Sequence, residues 1–399
     1  MRVPSKLLRA QFGFGWAPVS GRVYWVRGLL LPLSYFNTGL LIWLPMVVSA
    51  TLCLAVILAA PRLPRLAGRP GDIASVQAAH RKLTPRLGGL GIFGALLTGA
   101  AFAPIGLSAS YATFLMAATP LFLAGLAEDL GWHVSPKGRL LAAVVASIAV
   151  VVLLDAWVPR IGWSVLDPLM LNGLLGVPVT IFVVVGIANA FNLIDGVNGL
   201  AGITALFSTI ALSMIAAEAG YDNMVALTTF LALGILGFLA LNFPFGLVFL
   251  GDAGAYTLGF VLAWFGVAIL MTQPDVTPWA ILLTMFWPVA DTILAIYRRG
   301  LGRRPAMQPD RLHAHQLVMR SLEIYWLGRG RRHITNPLTP LILAPFIAVP
   351  VFVGVVFWDQ NIAAFFAFWG FLAGYFGLYF IALHVVRNSG YRFTRKSPE

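Results

Sequence analysis

Five acidic residues lie at or beside the ends of long apolar stretches, where burying a carboxylate is costly and calls for a reason. They are Glu128, Asp129, Asp195, Asp252 and Asp291. For any one of them alone, a helix cap or a pair with a loop arginine is the simpler interpretation. Glu128 and Asp129 are adjacent, however, so their charges repel each other unless a cation lies near them. Magnesium would be a suitable cation, because it prefers oxygen ligands together with substrate phosphates.

The segment from 189 to 201 concentrates amide and carboxylate groups between two apolar stretches. It contains four polar side chains and two glycines, namely Asn189, Asn192, Asp195, Asn198, Gly196 and Gly199. The polar groups suit hydrogen bonding to a base or sugar, and the glycines let backbone approach a ligand closely. An ordinary turn is the alternative, since Asp-Gly and Asn-Gly are turn dipeptides. Four polar groups in ten residues favour a binding loop.

Asp252 follows Gly251 immediately before another apolar run. The exposed amides of a helix N-terminus form a favourable phosphate site, and Asp252 beside them could hold the metal ion that such phosphates bring. A simple N-cap role for Asp252 is the competing interpretation.

His313 and His315 stand in a basic segment that includes Arg311 and, upstream, arginines at 298, 299, 303 and 304. A His-x-His pair is compatible with zinc, but no cysteine and no obvious third ligand lies nearby in the sequence. Contact with a pyrophosphate is the better interpretation, because Arg and protonated His donate to phosphate oxygens. For the upstream arginines, anchoring at the basic side of a membrane is the alternative.

The composition places these residues in a membrane protein. Apolar residues make up 59% of the chain and charged residues 11%, with a mean hydropathy of +0.85, whereas about 25% charge is usual in soluble domains. The net charge of +12 is therefore interpreted as membrane topology and not as nucleic-acid binding. Cys53 is the only cysteine and lies in an apolar run, which excludes an internal disulfide.

A membrane span needs about 20 mostly apolar residues, and on that criterion the sequence predicts an all-α polytopic bundle of about ten or eleven transmembrane helices with active-site loops on the cytoplasmic side. Pro288 is expected to kink the ninth span. The predicted spans lie near residues 39–60, 87–106, 109–127, 139–157, 171–190, 198–217, 223–243, 255–272, 278–297, 338–358 and 362–385.

The gaps between these spans carry a charge asymmetry that predicts their orientation. Lys and Arg number six in the loop 61–86, two in the loop around Lys137, nine in the loop 298–337 and four in the tail. The intervening loops contain only Arg160. We therefore predict a single membrane domain over 39–386 with a large cytoplasmic loop at 298–337 and a basic tail at 387–399. The basic segment 1–38 does not fit this alternation and is interpreted as an interfacial or N-terminal segment.

Five motifs, taken in order, resemble those of the polyprenyl-phosphate N-acetylhexosamine-1-phosphate transferases, the WecA-like and MraY-like enzymes of glycosyltransferase family 4. The resemblance covers roughly residues 40 to 385. The matching positions are His80, Thr84, Pro85, Arg86, Gly88 and Gly89; Glu128 and Asp129; Asn189 through Gly199; Gly251 through Ala255; and His313, His315 and Gln316. The chain departs from the family pattern at four of them, where Glu128 and Asn198 each replace an Asp, Ala255 replaces a Ser and Gln316 replaces a His.

The resemblance implies that an undecaprenyl phosphate oxygen attacks the β-phosphorus of a UDP-N-acetylhexosamine and releases UMP. UDP-GlcNAc or a 6-deoxy relative is the expected donor, and the product would prime a surface polysaccharide. The expected location is a bacterial inner membrane, where the protein would contact membrane lipids and bind no nucleic acid. A homodimer is compatible with this reading.

The resemblance also assigns roles to residues. Magnesium, with manganese as the alternative ion, is expected at Asp252 and Asp129. Glu128 and Asp129 would orient or deprotonate the lipid phosphate, and Asp195 completes the set of catalytic carboxylates. The substrate-binding residues implied are His80, Thr84, Arg86, Asn189, Asn192, Asn198, Arg311, His313 and His315.

A transporter or lipid flippase is the alternative from a different class of protein. Its ionisable residues would line a pathway through mid-membrane, whereas the acidic clusters here fall at predicted cytoplasmic span ends. Asp291 is the exception, because it follows Trp287-Pro-Val-Ala inside a predicted span. A non-catalytic assembly subunit is a third reading, which the carboxylates disfavour.

Overall fold

A computed structural model describes residues 39–66, 84–302, 312–328 and 331–388, and the residues it describes form helices and loops without strands. The predicted segment 1–38 and most of the predicted tail 387–399 lie outside the described residues. An all-α polytopic membrane fold is thereby confirmed.

Fourteen α-helices are described. The first seven are α1 (Leu44–Ala59), α2 (Gly88–Ala101), α3 (Ile105–Asp129), α4 (Pro136–Leu154), α5 (Asp167–Leu171), α6 (Gly176–Ile194) and α7 (Leu200–Glu218). The others are α8 (Asp222–Asn242), α9 (Gly251–Thr272), α10 (Pro278–Thr284), α11 (Phe286–Gly302), α12 (Ala314–Leu322), α13 (Arg332–Val356) and α14 (Asn361–Asn388). A 3₁₀ turn precedes α1 at Gly39–Trp43, and a π-helical turn, Glu323–Leu327, follows α12.

Nine helices in the described part of the chain are long and apolar enough to cross a membrane, and α10 with α11 forms a bent tenth. The prediction of a full span at 87–106 is wrong, because α2 has 14 residues and a rise of about 21 Å, against about 30 Å of hydrocarbon. Within the predicted loop 298–337, α11 continues to Gly302 and α13 begins at Arg332.

Helix α9 is the centre of the bundle. Nearly all of its residues are buried, and it packs against α2, α3, α6 and α7. Small residues make this close packing feasible, as is usual between membrane helices. A Cβ on Gly125 of α3 would lie 2.5 Å from the Ala253 Cα, and one on Gly259 would lie 2.7 Å from the Ala188 Cα of α6. These approaches hold the first turn of α9 beside the ends of α3 and α6.

The predicted kink at Pro288 is a break, because α10 and α11 meet at an angle of 85°. Proline has no N–H, so it cannot donate to the carbonyl four residues before it, which here belongs to Thr284. That carbonyl oxygen instead accepts a hydrogen bond of 2.6 Å from the Ser208 Oγ of α7. The neighbouring helix thus satisfies the polar group that the proline leaves unpaired, as membrane helices require.

The opposite end of α9 is capped by Arg160, the basic residue that the charge count placed alone on the far side. Its guanidinium donates to the carbonyl oxygens of Leu270, Gln273 and Val276 at 2.8, 2.8 and 2.6 Å. A cation at a helix C-terminus also interacts favourably with the helix dipole. Burial lowers the pKa of Arg160 from its ordinary value. Arg160 therefore terminates the central helix in addition to lying on the predicted outer side.

We expect Ser208→Ala to lower the free energy of unfolding by about 1 kcal/mol, since it leaves the Thr284 carbonyl without its hydroxyl donor. Denaturant unfolding in mixed micelles measures this change. Thr209→Val is the matched control, because the Thr209 hydroxyl bonds only within its own helix, to the Ala205 carbonyl oxygen. Equal losses for the two variants would contradict a special role for Ser208 at the break.

Candidate active site

Three of the predicted carboxylates meet where α3 and α6 end and α9 begins, and we call this the carboxylate end of the bundle. Asp129 accepts hydrogen bonds of 2.9 Å from the N–H groups of both Asp252 and Ala253. Asp195 accepts a hydrogen bond from the N–H of Gly251. Helix N-termini leave amides without partners and attract negative charge. Two acidic side chains from neighbouring helices therefore occupy the first three amides of α9.

Asp252 is not the N-cap of α9, so that alternative interpretation is wrong. The cap position belongs to Leu250, which makes no side-chain capping bond. The Asp252 carboxylate instead accepts from Arg86 at 3.3 Å and from Asn192 at 2.9 Å, and pairs with Arg139. Because Asp252 is buried, these donors are needed to offset the loss of its hydration.

Arg86 is held in this position by its flanking backbone. The segment around it runs beside the residues that lead into α9, and three hydrogen bonds of 2.7–2.9 Å join Phe249 N to Pro85 O, Gly88 N to Phe249 O, and Gly89 N to Leu250 O. The Arg86 Nε lies 3.9 Å from an Asp129 oxygen. One guanidinium therefore faces both Asp129 and Asp252.

Gly251 is the backbone position that permits this approach. Its φ of 72° lies in the left-handed region, which a residue with a Cβ adopts at a cost. A Cβ there would also overlap the Arg86 carbonyl oxygen and the Asp129 carboxylate.

Asp195 is half-buried and carries an altered acidity. Desolvation raises the pKa of its carboxyl to about 7, against the opposing effects of the Arg86 charge and of the hydrogen bond from Gly251. Near neutral pH this group is therefore close to its midpoint, unlike an ordinary aspartate.

The His-x-His pair lies against the loop between α6 and α7. A Cβ on Gly196 would come within 2.5 Å of the His315 Nε2, so a glycine is needed there. The His313 and His315 rings are stacked with centroids 5.8 Å apart. Burial lowers the pKa of His315 to about 4, so this residue is neutral near pH 7. A neutral His315 could still donate to a pyrophosphate through one ring nitrogen, so its contact with the substrate stays a prediction.

Other predicted site residues have different surroundings. Asn189 accepts a hydrogen bond of 3.1 Å from the Tyr256 hydroxyl, close to the carboxylate end. Asn198 is buried; its N–H donates to the Asn336 Oδ1 at 2.7 Å and its Nδ2 to the Pro244 carbonyl at 2.9 Å, while its own Oδ1 has no hydrogen-bond partner among the described residues. These contacts give Asn198 a structural role.

For four other predicted site residues the structure gives less information about their role. Glu128 is half-buried in the last turn of α3, beside Asp129, and Thr84 is half-buried just before Arg86. His80 and Arg311 lie outside the described residues. Upstream of the His-x-His pair, Arg298 donates to the Leu312 carbonyl oxygen at 2.6 Å and so fixes the backbone just before His313.

Arg139 is the functional candidate that the sequence reasoning left without a role. It pairs with Asp252 and lies over the Tyr256 ring, with its Cζ 5.9 Å from the ring centroid. A signal was available, because Arg139 stands in the first turn of α4, where the helix dipole disfavours a cation. A basic residue in that place needs an anionic partner.

A magnesium ion at this end would have to share its ligands with a substrate. No group of three His, Cys, Asp or Glu side chains within the described ranges is disposed to hold a metal by itself. Magnesium commonly takes only one or two carboxylates from the protein and completes its shell with water and phosphate oxygens. Asp129 and Asp252, joined through the Asp252 amide, provide such a pair.

A family model described as glycosyl transferase family 4 matches residues 111–270, the stretch from α3 to α9 that contains all three of these aspartates. Over these residues the chain is similar to glycosyl transferase family 4. Its match with a probable undecaprenyl-phosphate N-acetylglucosaminyl 1-phosphate transferase of Bacillus subtilis is 29% identical and covers 67% of this chain and 75% of the relative.

Two further relatives extend the match. A decaprenyl-phosphate N-acetylglucosaminephosphotransferase of Mycobacterium tuberculosis is 28% identical over 79% of this chain and 84% of its own length. An undecaprenyl-phosphate alpha-N-acetylglucosaminyl 1-phosphate transferase of Yersinia pestis is 28% identical over 63% and 69% of the respective chains. With nine candidate spans among its described residues and with these relatives, the protein is a multi-pass membrane protein.

We expect Gly251→Ala to lower turnover by about 100-fold, because small displacements of reacting groups have effects of that size. The added Cβ would push Arg86 and Asp129 away from the start of α9. Gly186→Ala is the matched control, since Gly186 lies in α6 with no atom near its Cβ position. Comparable turnover in Gly251→Ala and wild type would contradict this account of the site.

Proposed function

We propose that this chain transfers N-acetylhexosamine 1-phosphate from a UDP-sugar to undecaprenyl phosphate, with N-acetylglucosamine as the first sugar to test. The names of the three relatives support the lipid and the sugar. The observation that carries the proposal is the meeting of Asp129, Asp195 and Asp252 with two arginines at the start of α9. Such a cluster of charge suits two anionic substrates.

In the proposed reaction, an oxygen of the lipid phosphate forms a bond to the β-phosphorus of the UDP-sugar. The bond from that phosphorus to the oxygen bridging it to the α-phosphate breaks, and the bonding electrons leave with UMP. The products are UMP and a polyprenyl diphosphate sugar. An ionised lipid phosphate needs no base for this step, so the carboxylates act by orientation and charge.

Asp129 and Asp252 would hold magnesium, with manganese as the alternative. When bound, the ion would supply positive charge to the diphosphate and lower the repulsion between the two substrates. Arg86 and Arg139 already face Asp252, and their guanidinium groups can donate to phosphate oxygens in a planar, bidentate geometry. The Arg139 Nε is buried without a hydrogen-bond partner in the described part of the chain, which leaves it available to a phosphate.

The nucleotide sugar would bind over the α6–α7 loop. Asn192 bonds to Asp252; it and the half-buried Asn189 lie near the end of α6, and Asp195 is the C-cap that follows. Amide and carboxylate groups together can recognise a base or sugar. Asn198, which bonds to Asn336 and to the Pro244 carbonyl, would help to hold the conformation of this loop.

An apolar cavity of about 340 Å³ provides a place for the lipid tail. It lies between α6, α9, α10 and α14, and its lining includes Val183, Ala263, Val267, Trp279 and Trp369. Ala263 is eleven residues beyond Asp252 on α9, which corresponds to about 16 Å along the helix. A polyprenyl chain with its phosphate at the carboxylate end could therefore enter the cavity.

We further propose that the carboxylate end faces the cytoplasm of a bacterial inner membrane. The loops and tail that the sequence predicts on this side carry 21 of the 27 Lys and Arg, with five more in the segment 1–38, and such an excess is the usual cytoplasmic bias. The homodimer stays a prediction that crosslinking in membranes can test.

A transporter is not favoured. The buried carboxylates among the described residues are Asp129, Asp252, Asp291 and Glu323. Asp129 and Asp252 lie at helix ends and Glu323 begins the π-helical turn after α12, while Asp291 lies inside α11 and is bonded to His313. A transport pathway would need ionisable groups through the span centres. The relatives carry transferase names instead.

Purified protein incubated with undecaprenyl phosphate, magnesium and a panel of UDP-sugars should release UMP. Asp252→Asn should lower turnover by at least about 100-fold, because it removes charge from the centre of the site. Asp275→Asn is the matched control, since Asp275 is exposed at the opposite end of α9. Absence of UMP with every donor, or equal rates for Asp252→Asn and wild type, would refute the proposed function.

Val183→Trp should raise the KM for undecaprenyl phosphate about five- to tenfold while leaving the KM for the UDP-sugar unchanged. The larger ring would fill the cavity and exclude hydrocarbon worth about one to two methylene groups. Phe182→Trp is the control, because Phe182 is the adjacent residue, is 79% exposed and does not line the cavity. An unchanged lipid KM in Val183→Trp would place the tail elsewhere.

A further inference from the structure

Asp291 is a buried carboxylate that the proposed chemistry has not used. It lies in α11, five residues after the break, and is 1% exposed. Three donors converge on it, since one oxygen contacts His313 Nδ1 at 2.6 Å and the other accepts from the Ala314 N–H at 3.2 Å and the Tyr375 hydroxyl at 2.8 Å. Two of these donors belong to the segment that carries the His-x-His pair.

A second contact of the same kind lies two helical turns along α11. Arg298 donates to the Leu312 carbonyl oxygen and to the Tyr379 hydroxyl, and Tyr379 donates to the same carbonyl at 3.0 Å. Asp291 and Arg298 are seven residues apart, and Tyr375 and Tyr379 are four apart, so each pair shares one face of its helix. We call these four residues the α11–α14 clamp.

The clamp contacts the two residues before α12, Leu312 and His313, and the first residue of α12, Ala314, and so determines where His313 lies. The Asp291 carboxylate binds the His313 Nδ1. In a histidine, the partner of one ring nitrogen decides which nitrogen carries the proton. With Nδ1 donating to Asp291, only Nε2 is left to meet a ligand. The ring is thereby fixed in both rotation and tautomer.

The fixed ring lies beside the proposed nucleotide site. His313 stacks on His315, and His315 packs against Gly196, the residue after Asp195. Both ring nitrogens of His315 are buried without hydrogen-bond partners in the described part of the chain. Buried polar atoms without partners are rare, so this end of the loop is suited to a polar ligand.

We propose that Asp291 is a positioning residue for the sugar-phosphate transfer, which acts by holding His313 with Nε2 directed to the substrate. This inference rests on the proposed function. It accounts for a carboxylate inside an apolar helix, where such a group is costly and usually functional. Tyr375 completes the arrangement by binding the second carboxylate oxygen.

The kinetic test compares Asp291→Asn, His313→Ala and the double variant in the UMP-release assay. We expect Asp291→Asn to lower kcat about 10- to 100-fold, the usual effect of removing an orienting partner of a histidine, with both KM values within about twofold of wild type. In the His313→Ala background the same substitution should change kcat less than twofold. An undiminished loss in that background would overturn the proposal.

Two further variants separate positioning from folding. Glu323→Gln alters another buried carboxylate of this region, which binds Arg332 Nε at 3.0 Å and no histidine, so its kcat should be unchanged. Tyr375→Phe keeps the carboxylate and should lower kcat a few-fold in wild type and not at all in His313→Ala. A loss in Glu323→Gln equal to that in Asp291→Asn would overturn the proposal, because it would indicate general disruption.

An activity-free readout distinguishes failure of the two proposals. The chain has six histidines, so the ¹⁵N resonances of His313 in histidine-labelled protein in nanodiscs can be assigned by their loss in His313→Ala. They should shift in Asp291→Asn and stay in place in Glu323→Gln. If wild type releases no UMP, the proposed function fails, while unshifted resonances in Asp291→Asn would refute the contact between Asp291 and His313.

Discussion

The structure depends on the binding of α9's first amides by carboxylates from two other helices. Asp129 reaches them from the end of α3, and Asp195 from the turn after α6. A helix that starts in the protein interior has amides that water cannot solvate, and an anion there is stabilised by the helix dipole. This interaction therefore terminates three helices at one place and gathers the charged residues of the site around Asp252.

The arginines follow from the same constraint. Three aspartates in one apolar surrounding would repel each other strongly without cations, because charges interact over longer range where the dielectric constant is low. Arg86 and Arg139 supply those cations from two different segments. The glycine contacts between α9 and its neighbours allow helices of this kind to come close enough for the side chains to meet.

Much of this arrangement could be predicted from the sequence, because costly residues are conspicuous in an apolar chain. Asp129, Asp195 and Asp252 stood out at span ends, and Asp291 stood out inside a span. The length of α2 and the bonding of Asn198 were not predictable, because hydropathy does not show where a helix ends against its neighbours and a polar loop residue gives no sign of the direction it faces. Arg139 escaped assignment because its partner lies 113 residues away in sequence.

The occupied amides at the start of α9 also bear on inhibition. A compound that imitates a diphosphate would compete with the protein's own Asp129 and Asp195 for those donors, so it gains less there than it would at a vacant helix end. A compound that presents a compact cation to the carboxylates meets no such competitor on the helix itself, although it must replace Arg86 or Arg139. Positively charged or zwitterionic head groups are therefore better starting points for medicinal chemistry at this site than further anions.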